Sequence, residues 1–312
     1  MHFKRYGLLV VPLLILTKMA NLDLFGNPIE EKNDLKVIFG ENPFTVLDAK
    51  SGTWQARKKQ WIRLGIKSEV GRDATTFSMK DWADRKGKEG TLKGNKLPSD
   101  TSIFDPVLCE LMYKWFCPDG GRILDPFAGG SVRGIVANYL GYKYTGVDIR
   151  QEQIDSNREQ ALDILPIDNQ PQWYVGDSNL VIDDFKDESF DMVLSCPPYA
   201  DLEKYSDLEG DISNMSYDDF LVAYKSIIKK SCKKLKKGGH AVFVVGEIRD
   251  KHGFYRGFVT HTIMAFLECG MRLYNDAVLA TSIASAALRA SGNMKSKKLV
   301  KIHQNVLDFV KI

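Results

Sequence analysis

"RILDPFAGGSVRGIVANYLGYKYTGVDI", residues 122–149, reads as a strand, a glycine-containing turn, a helix and a second strand. "RILDPF" is a short buried strand, "SVRGIVANYLG" a helix stopped at Gly141, and "KYTGVDI" the strand that follows. Downstream the alternation continues: a polar helix over 151–162, strands in "PQWYVGD" and "FDMVLSCPPY", an amphipathic helix over 217–235 and a strand in "HAVFVVGEI". A helix over 254–268 and strands in "MRLYNDAVLAT" and "HQNVLDFVKI" complete it. Such alternation predicts a doubly wound, mostly parallel, seven-stranded α/β sheet covered on both faces. No clear helix separates the last two strands, which predicts an antiparallel edge hairpin.

Upstream, residues 105–116 read as a helix with Pro106 in its first turn, and 51–65 as another, with Trp54, Trp61, Ile62 and Leu64 on one side and Arg57, Lys58 and Lys59 on the other. From about Gly71 to Ser99 the chain turns to Gly, Lys and Asp, which predicts a long basic loop. The opening residues 1–18 pair a basic start with an apolar run and imitate a secretory signal. That run is too short for a bilayer, which takes about 20 apolar residues. The expectation is an extension ahead of a native start at Met19, a basic region over 19–100 and a catalytic domain over 101–312.

The 312 residues, 44% hydrophobic, suffice for one large core or a core with a small appendage. A net charge of +3 makes no global demand for a polyanionic partner, but residues 51–100 hold twelve Lys/Arg against six Asp/Glu. That local surplus suits a phosphate backbone. Five scattered cysteines form no CxxC pair, zinc spacing or disulfide framework, which fits reduced thiols in a cytoplasmic protein. The histidines show no ligand spacing, so no metal is expected.

In such a sheet ligands bind outside the carboxyl ends of the strands, so the strand-to-loop junctions are the places to inspect. The first is Asp125-Pro126-Phe127-Ala128-Gly129-Gly130-Ser131, whose glycines allow a ligand close to the backbone. It is neither GxGxxG nor a P-loop, which disfavours nicotinamide and triphosphate. Gly146-Val147-Asp148 puts an acid at the next strand end, suited to ribose hydroxyls, and Gly176-Asp177-Ser178 another, suited to an exocyclic amine. The fourth is Ser195-Cys196-Pro197-Pro198-Tyr199. Its prolines stop the strand without offering amide protons, and its tyrosine gives a base a face to stack on.

"DPFAGGS", "GVDI", "GDS" and "CPPY", in that order, resemble the S-adenosylmethionine-dependent methyltransferases that modify adenine N6 or cytosine N4 in DNA, and the compact layout is similar to solitary phage or prophage members. The resemblance covers about residues 101–312. It implies that Asp125, Phe127 and Gly129 line the cofactor, Asp148 holds its ribose, Asp177 and Ser178 meet its adenine, and Thr101, Ser102 and Phe104 reach its methionine end. It implies that Cys196–Tyr199 hold a flipped DNA base, with no membrane partner.

The sequence departs from that pattern at Cys196, where the family has Asp, Asn or Ser. Two readings stay open: a serine substitute, with Ser195 an alternative source of the oxygen, or a nucleophile for carbon-5 chemistry on a pyrimidine. Further alternatives keep the cofactor and move the target to RNA or to a protein glutamine, or make the chain a silent nucleic-acid-binding protein. Glu247, Arg249, Tyr255 and Arg256 follow the fifth strand near the expected site. The small, basic stretch from Ala280 to Lys298 is expected to order on DNA. The seven lysines between Lys225 and Lys237 read as a solvated helix face with DNA contact as an alternative.

Overall fold

The computed structural model describes residues 43–66, 104–200, 206, 208, 210–281, 290 and 292–312. The expected leader 1–18, the basic loop 71–99, Thr101, Ser102 and residues 282–289 lie outside them. The strands are β1 (Val46–Asp48), β2 (Arg122–Asp125), β3 (Lys143–Asp148), β4 (Gln172–Val175), β5 (Phe190–Ser195), β6 (Leu235–Val245), β7 (Met271–Ala280) and β8 (His303–Lys311). The helices are α1 (Gly52–Arg63), α2 (Pro106–Phe116), α3 (Val132–Tyr139), α4 (Gln151–Ile164), α5 (Ser178–Val181), α6 (Tyr217–Lys234) and α7 (Phe258–Glu268).

The eight strands form one sheet in the order β1-β7-β8-β6-β5-β2-β3-β4, parallel except at β8. From β2 the chain winds outward through β3 to β4, then returns to β5 and winds the other way. The switch point therefore lies between β2 and β5, where such sheets bind ligands. Two details depart from the sequence reading. The antiparallel strand is not at an edge: β8 inserts between β6 and β7, with Val306, Leu307, Asp308 and Phe309 buried in succession as in an interior strand. An eighth strand, β1, pairs with β7 and takes that edge.

The two faces follow the strand period. Ala241, Phe243 and Val245 of β6 join Tyr224 of α6 and Phe258 and Phe266 of α7 in one core cluster. Val242 and Val244, also buried, belong to the opposite face, as does His240, on which Phe116 of α2 stacks with centroids 5.1 Å apart. Asp105 caps α2 by accepting from the Val107 amide at 2.9 Å, and Pro106 fills the first turn. Several lysines between Lys225 and Lys237 are paired rather than merely solvated: Lys234 with Asp187 and Lys236 with Asp191, both at 2.7 Å, and Lys225 with Glu268 at 3.0 Å.

Residues 43–66, which the sequence reading placed in a region separate from the catalytic domain, build onto the same sheet. β1 extends it, and α1 docks on α2 through Glu110, which is fully buried. Glu110 accepts from Arg57 Nε at 2.9 Å, Arg57 Nη2 at 2.6 Å, Trp61 Nε1 at 2.8 Å and Lys114 Nζ at 2.8 Å. The basic side predicted for α1 therefore divides. Arg57 turns inward to Glu110, Lys58 pairs with Asp105 at 2.9 Å, and Lys59 stays exposed.

Candidate active site

A cavity of about 410 Å³ opens at the carboxyl ends of the parallel strands. Its size falls within the roughly 300–1,000 Å³ of small-molecule and cofactor sites. Phe104, Phe127, Gly129, Asp148, Asp177, Ser178, Cys196, Pro197, Pro198 and Tyr199, all singled out in the sequence, line it. The ends of β3 and β4 and the Pro-Pro turn after β5 therefore share one rim.

Gly129 adopts φ 50, a left-handed conformation that glycine tolerates and side chains resist. Its amide donates to Asp148 Oδ2 at 2.9 Å, and its carbonyl accepts from Asn157 Nδ2 at 2.7 Å. The Arg150 amide donates to Asp148 Oδ1, also at 2.9 Å. Each Asp148 oxygen thus keeps a lone pair for a further donor. Burial raises the Asp148 pKa, opposed by Arg150 and by those two amides.

Asp177 caps α5 through Oδ1, which accepts from the Asn179 amide at 2.8 Å; Oδ2 has no hydrogen-bond partner among the described residues. Ser178 Oγ donates to the Pro126 carbonyl at 2.6 Å, so its hydroxyl lashes the first junction to the third. Phe104 lies under Arg133, whose guanidinium carbon is 4.6 Å from the ring centroid.

Two residues predicted for the site are placed elsewhere. Asp125 is fully buried and does not line the cavity. It accepts from Arg133 Nε at 2.5 Å, Tyr144 Oη at 2.7 Å, Ser195 Oγ at 2.6 Å and the Phe127 amide at 3.1 Å. Arg133 Nη2 continues to the Phe127 and Ala128 carbonyls at 2.6 and 2.8 Å, so this acid fixes the loop from behind. Ser195 is fully buried with its hydroxyl given to Asp125, and cannot supply the oxygen that Cys196 lacks. The reason is the strand period: β5 runs through Ser195, and Cys196, one residue on, belongs to the opposite side and lines the cavity.

No family model matches the chain. A release factor glutamine methyltransferase of Fusobacterium nucleatum is 28% identical over 257 residues, covering 73% of this chain and 70% of that protein. Among solved structures, TrmN of Thermus thermophilus is similar over 68% of this chain at 14% identity and a TM-score of 0.45, the chain spanning 50% of TrmN. Magnesium protoporphyrin IX methyltransferase of Synechocystis PCC 6803, solved with bound SAM, is similar at 12% identity and a TM-score of 0.45, over 75% of this chain and 91% of its own. By its own strand order and switch point the sheet is a Rossmann-like α/β fold of the class I methyltransferase type.

Sequence reasoning missed several cavity residues. Gln55 and Lys58 reach it from α1, and Asp105 joins them at the α2 cap. Gln304, on the reversed strand β8, donates from Nε2 to Tyr199 Oη at 2.7 Å. No local signal marks these side chains, because docking α1 and inserting β8 are long-range events. Among the described residues no group of three or more His, Cys, Asp or Glu side chains is placed to hold a metal ion, and no helix is long and apolar enough to cross a membrane.

Proposed function

We propose that this chain is an S-adenosylmethionine-dependent methyltransferase whose target is an exocyclic amino group of a DNA base, cytosine N4 or adenine N6. One observation carries this reading: Asp148, Asp177 and the Cys196–Tyr199 turn line the same cavity at the switch point of the sheet. The donor set fits the cofactor. Asp148 retains acceptor capacity for ribose hydroxyls, and Asp177 Oδ2 for an exocyclic adenine amine. Phe104 and Phe127 supply apolar wall, and Thr101, Ser102 and Phe104 are assigned to the methionine end.

When bound, the cofactor supplies an electrophilic methyl on a sulfonium. The chain's own residues position the nucleophile. Pro197 and Pro198 carry no amide proton, so at these two positions the turn offers carbonyl acceptors and no amide donor. In the proposed mechanism the target NH₂ donates to Cys196 and to the Pro197 carbonyl, while Tyr199 stacks on the ring. Held between Cys196 and the Pro197 carbonyl, the nitrogen lone pair would face the methyl group that the cofactor would supply, and the proton released from nitrogen would pass to water. Orientation and fixed dipoles supply the rate, without a strong base.

A second reading, a glutamine side-chain amide in a protein, rests on the similarity to the Fusobacterium enzyme. Both targets present a planar NH₂ to the same turn. The test is incubation with methyl-labelled S-adenosylmethionine and bacterial DNA, digestion to nucleosides and mass spectrometry. N4-methylcytosine or N6-methyladenine is expected. Label confined to glutamine residues of protein, or to 5-methylcytosine, would overturn the assignment.

A further inference from the structure

We propose that the hairpin over residues 248–256 and the basic turn over 292–298 form the surface on which the DNA strand lies beside the cavity, an inference that rests on the reading above. β6 leaves the sheet at Gly246, where a β-carbon would stand 3.4 Å from Tyr199 Oη. The chain therefore emerges next to the proposed base clamp. It folds at once into a hairpin with an antiparallel bridge between Arg249 and Tyr255.

That hairpin is tightly fastened. The Asp250 amide donates to the Phe254 carbonyl, the Gly253 amide to the Asp250 carbonyl, and Asp250 Oδ1 accepts from the His252 and Phe254 amides, each at 2.9 Å. Arg249 Nη1 donates to the Gly253 carbonyl at 2.7 Å, and its guanidinium lies 3.7 Å from the Tyr255 ring centroid. The side chain so presented is a phenyl ring: Phe254 is 72% exposed. With Tyr255 also 50% exposed, the fastened turn presents two aromatic side chains to solvent, faces on which a base can stack.

The second segment is tied to the first. Residues 292–295 make a helical turn that closes at Lys297, whose φ of 53 is left-handed, and the Lys298 amide returns to the Asn293 carbonyl at 2.9 Å. Lys298 then reaches over the hairpin, so that a β-carbon on Gly253 would lie 1.9 Å from its Nζ. Gly253 itself has φ 93. The left-handed backbone of the turn favours glycine at this position.

Lys251 and Lys297 are exposed and Lys298 half-buried in these two segments, while Asp250 is engaged in the turn. Cations that can pair with phosphates, together with a ring that can stack on a base, suit a nucleic-acid strand. An uncharged glutamine amide asks for neither. Lys251, Lys297 and Lys298 pair with backbone phosphates, and Phe254 stacks on a base left without its neighbour when the target turns out.

The test is fluorescence anisotropy of the full chain with a short labelled DNA duplex over a series of salt concentrations. The wild type is compared with the K251A/K297A/K298A variant and with F254A. S-adenosylhomocysteine binding by calorimetry, unchanged in every variant, verifies the fold. The triple variant is expected to flatten the slope of log affinity against log salt by about 2 to 3. F254A is expected to weaken binding to a single-stranded oligonucleotide by roughly fivefold to a hundredfold. A wild type that binds DNA with variants of equal affinity and slope overturns the surface and leaves the DNA reading standing. A wild type that binds S-adenosylhomocysteine but no DNA overturns both. Preferential, lysine-dependent binding to phosphatidylserine vesicles also overturns the proposal, in favour of a lipid surface.

Discussion

Ser195 Oγ donates to Asp125 Oδ1 at 2.6 Å and so joins the last residue of β5 to the last residue of β2. These strands flank the switch point, and the chain leaves them in opposite directions. The bond ties the two halves of the sheet together behind the cavity. Asp125 is also the counter-charge of Arg133, which is nearly as buried and holds the carbonyls of the glycine turn.

Removing either partner therefore affects folding before chemistry. Asp125→Ala leaves the Arg133 guanidinium buried without its carboxylate, which should cost about 3–5 kcal/mol. Ser195→Ala removes one hydrogen bond to a charged group that keeps other donors, and should cost about 1–3 kcal/mol. Urea denaturation with an unchanged slope would measure both. Methyl transfer per folded molecule should survive in Ser195→Ala, because the hydroxyl does not face the cavity. Collapse of turnover in a well-folded Ser195→Ala protein would contradict this placement.

The parallel core was legible because its signals are local: apolar runs of strand length, Gly141 as a helix stop, and the proline pair after β5. β1 was not, because Val46-Leu47-Asp48 is too short to show alternation and exists only by pairing with β7. The interior position of β8 also depends on partners remote in sequence. At the site, the strand period told that Ser195 and Cys196 point apart. Only the packing of β5 against β2 decided which of them meets the cavity. Arg57 read only as part of the basic side of its helix, because its neutralising partner, Glu110, lies 53 residues away.

Cys196 lines the cavity, which keeps two roles for the thiol open to test. On the amino-group reading it is a weak acceptor in a serine's place. Cys196→Ser should then retain or improve transfer, and Cys196→Ala should lose roughly fivefold, the value of about one hydrogen bond. Single-turnover transfer from labelled cofactor measures this. Carbon-5 chemistry instead needs the thiolate to form a bond to the ring, so Cys196→Ser would abolish it and trapped protein–DNA adducts would depend on the thiol.

The environment of Asp148 sets a pH dependence with opposite signs for ligand and fold. Burial raises its pKa, so the empty protein binds a proton there more tightly than the unfolded chain does. That contribution to stability is complete below the unfolded value of 3.8 and is lost as pH rises through the higher folded pKa. In the proposed cofactor site, ribose hydroxyls donate to the carboxylate and need it ionised. S-adenosylhomocysteine affinity should therefore fall by about tenfold per pH unit once pH drops below the raised pKa, a decline that starts above the ordinary aspartate value. Calorimetry across that window should show it in the wild type and not in Asp148→Asn. A flat wild-type profile would remove Asp148 from the cofactor site.

Tyr199 has two separable contributions, and Gln304 bears on only one. The ring meets Phe258 edge-on with centroids 6.1 Å apart, and the hydroxyl accepts from Gln304 Nε2 at 2.7 Å. If the ring is the clamp, Tyr199→Ala should lose about 1–3 kcal/mol of base stacking in kcat/KM, whereas Tyr199→Phe should lose only about 1 kcal/mol, the hydrogen bond that orients it. Gln304→Ala breaks that same bond from the other side. The Tyr199→Phe/Gln304→Ala double variant should therefore be no worse than either single variant, a coupling that a double-mutant cycle in kcat/KM measures. Additive losses would mean that Gln304 acts on the substrate by itself, and β8 would then supply a contact of its own rather than a brace for the ring.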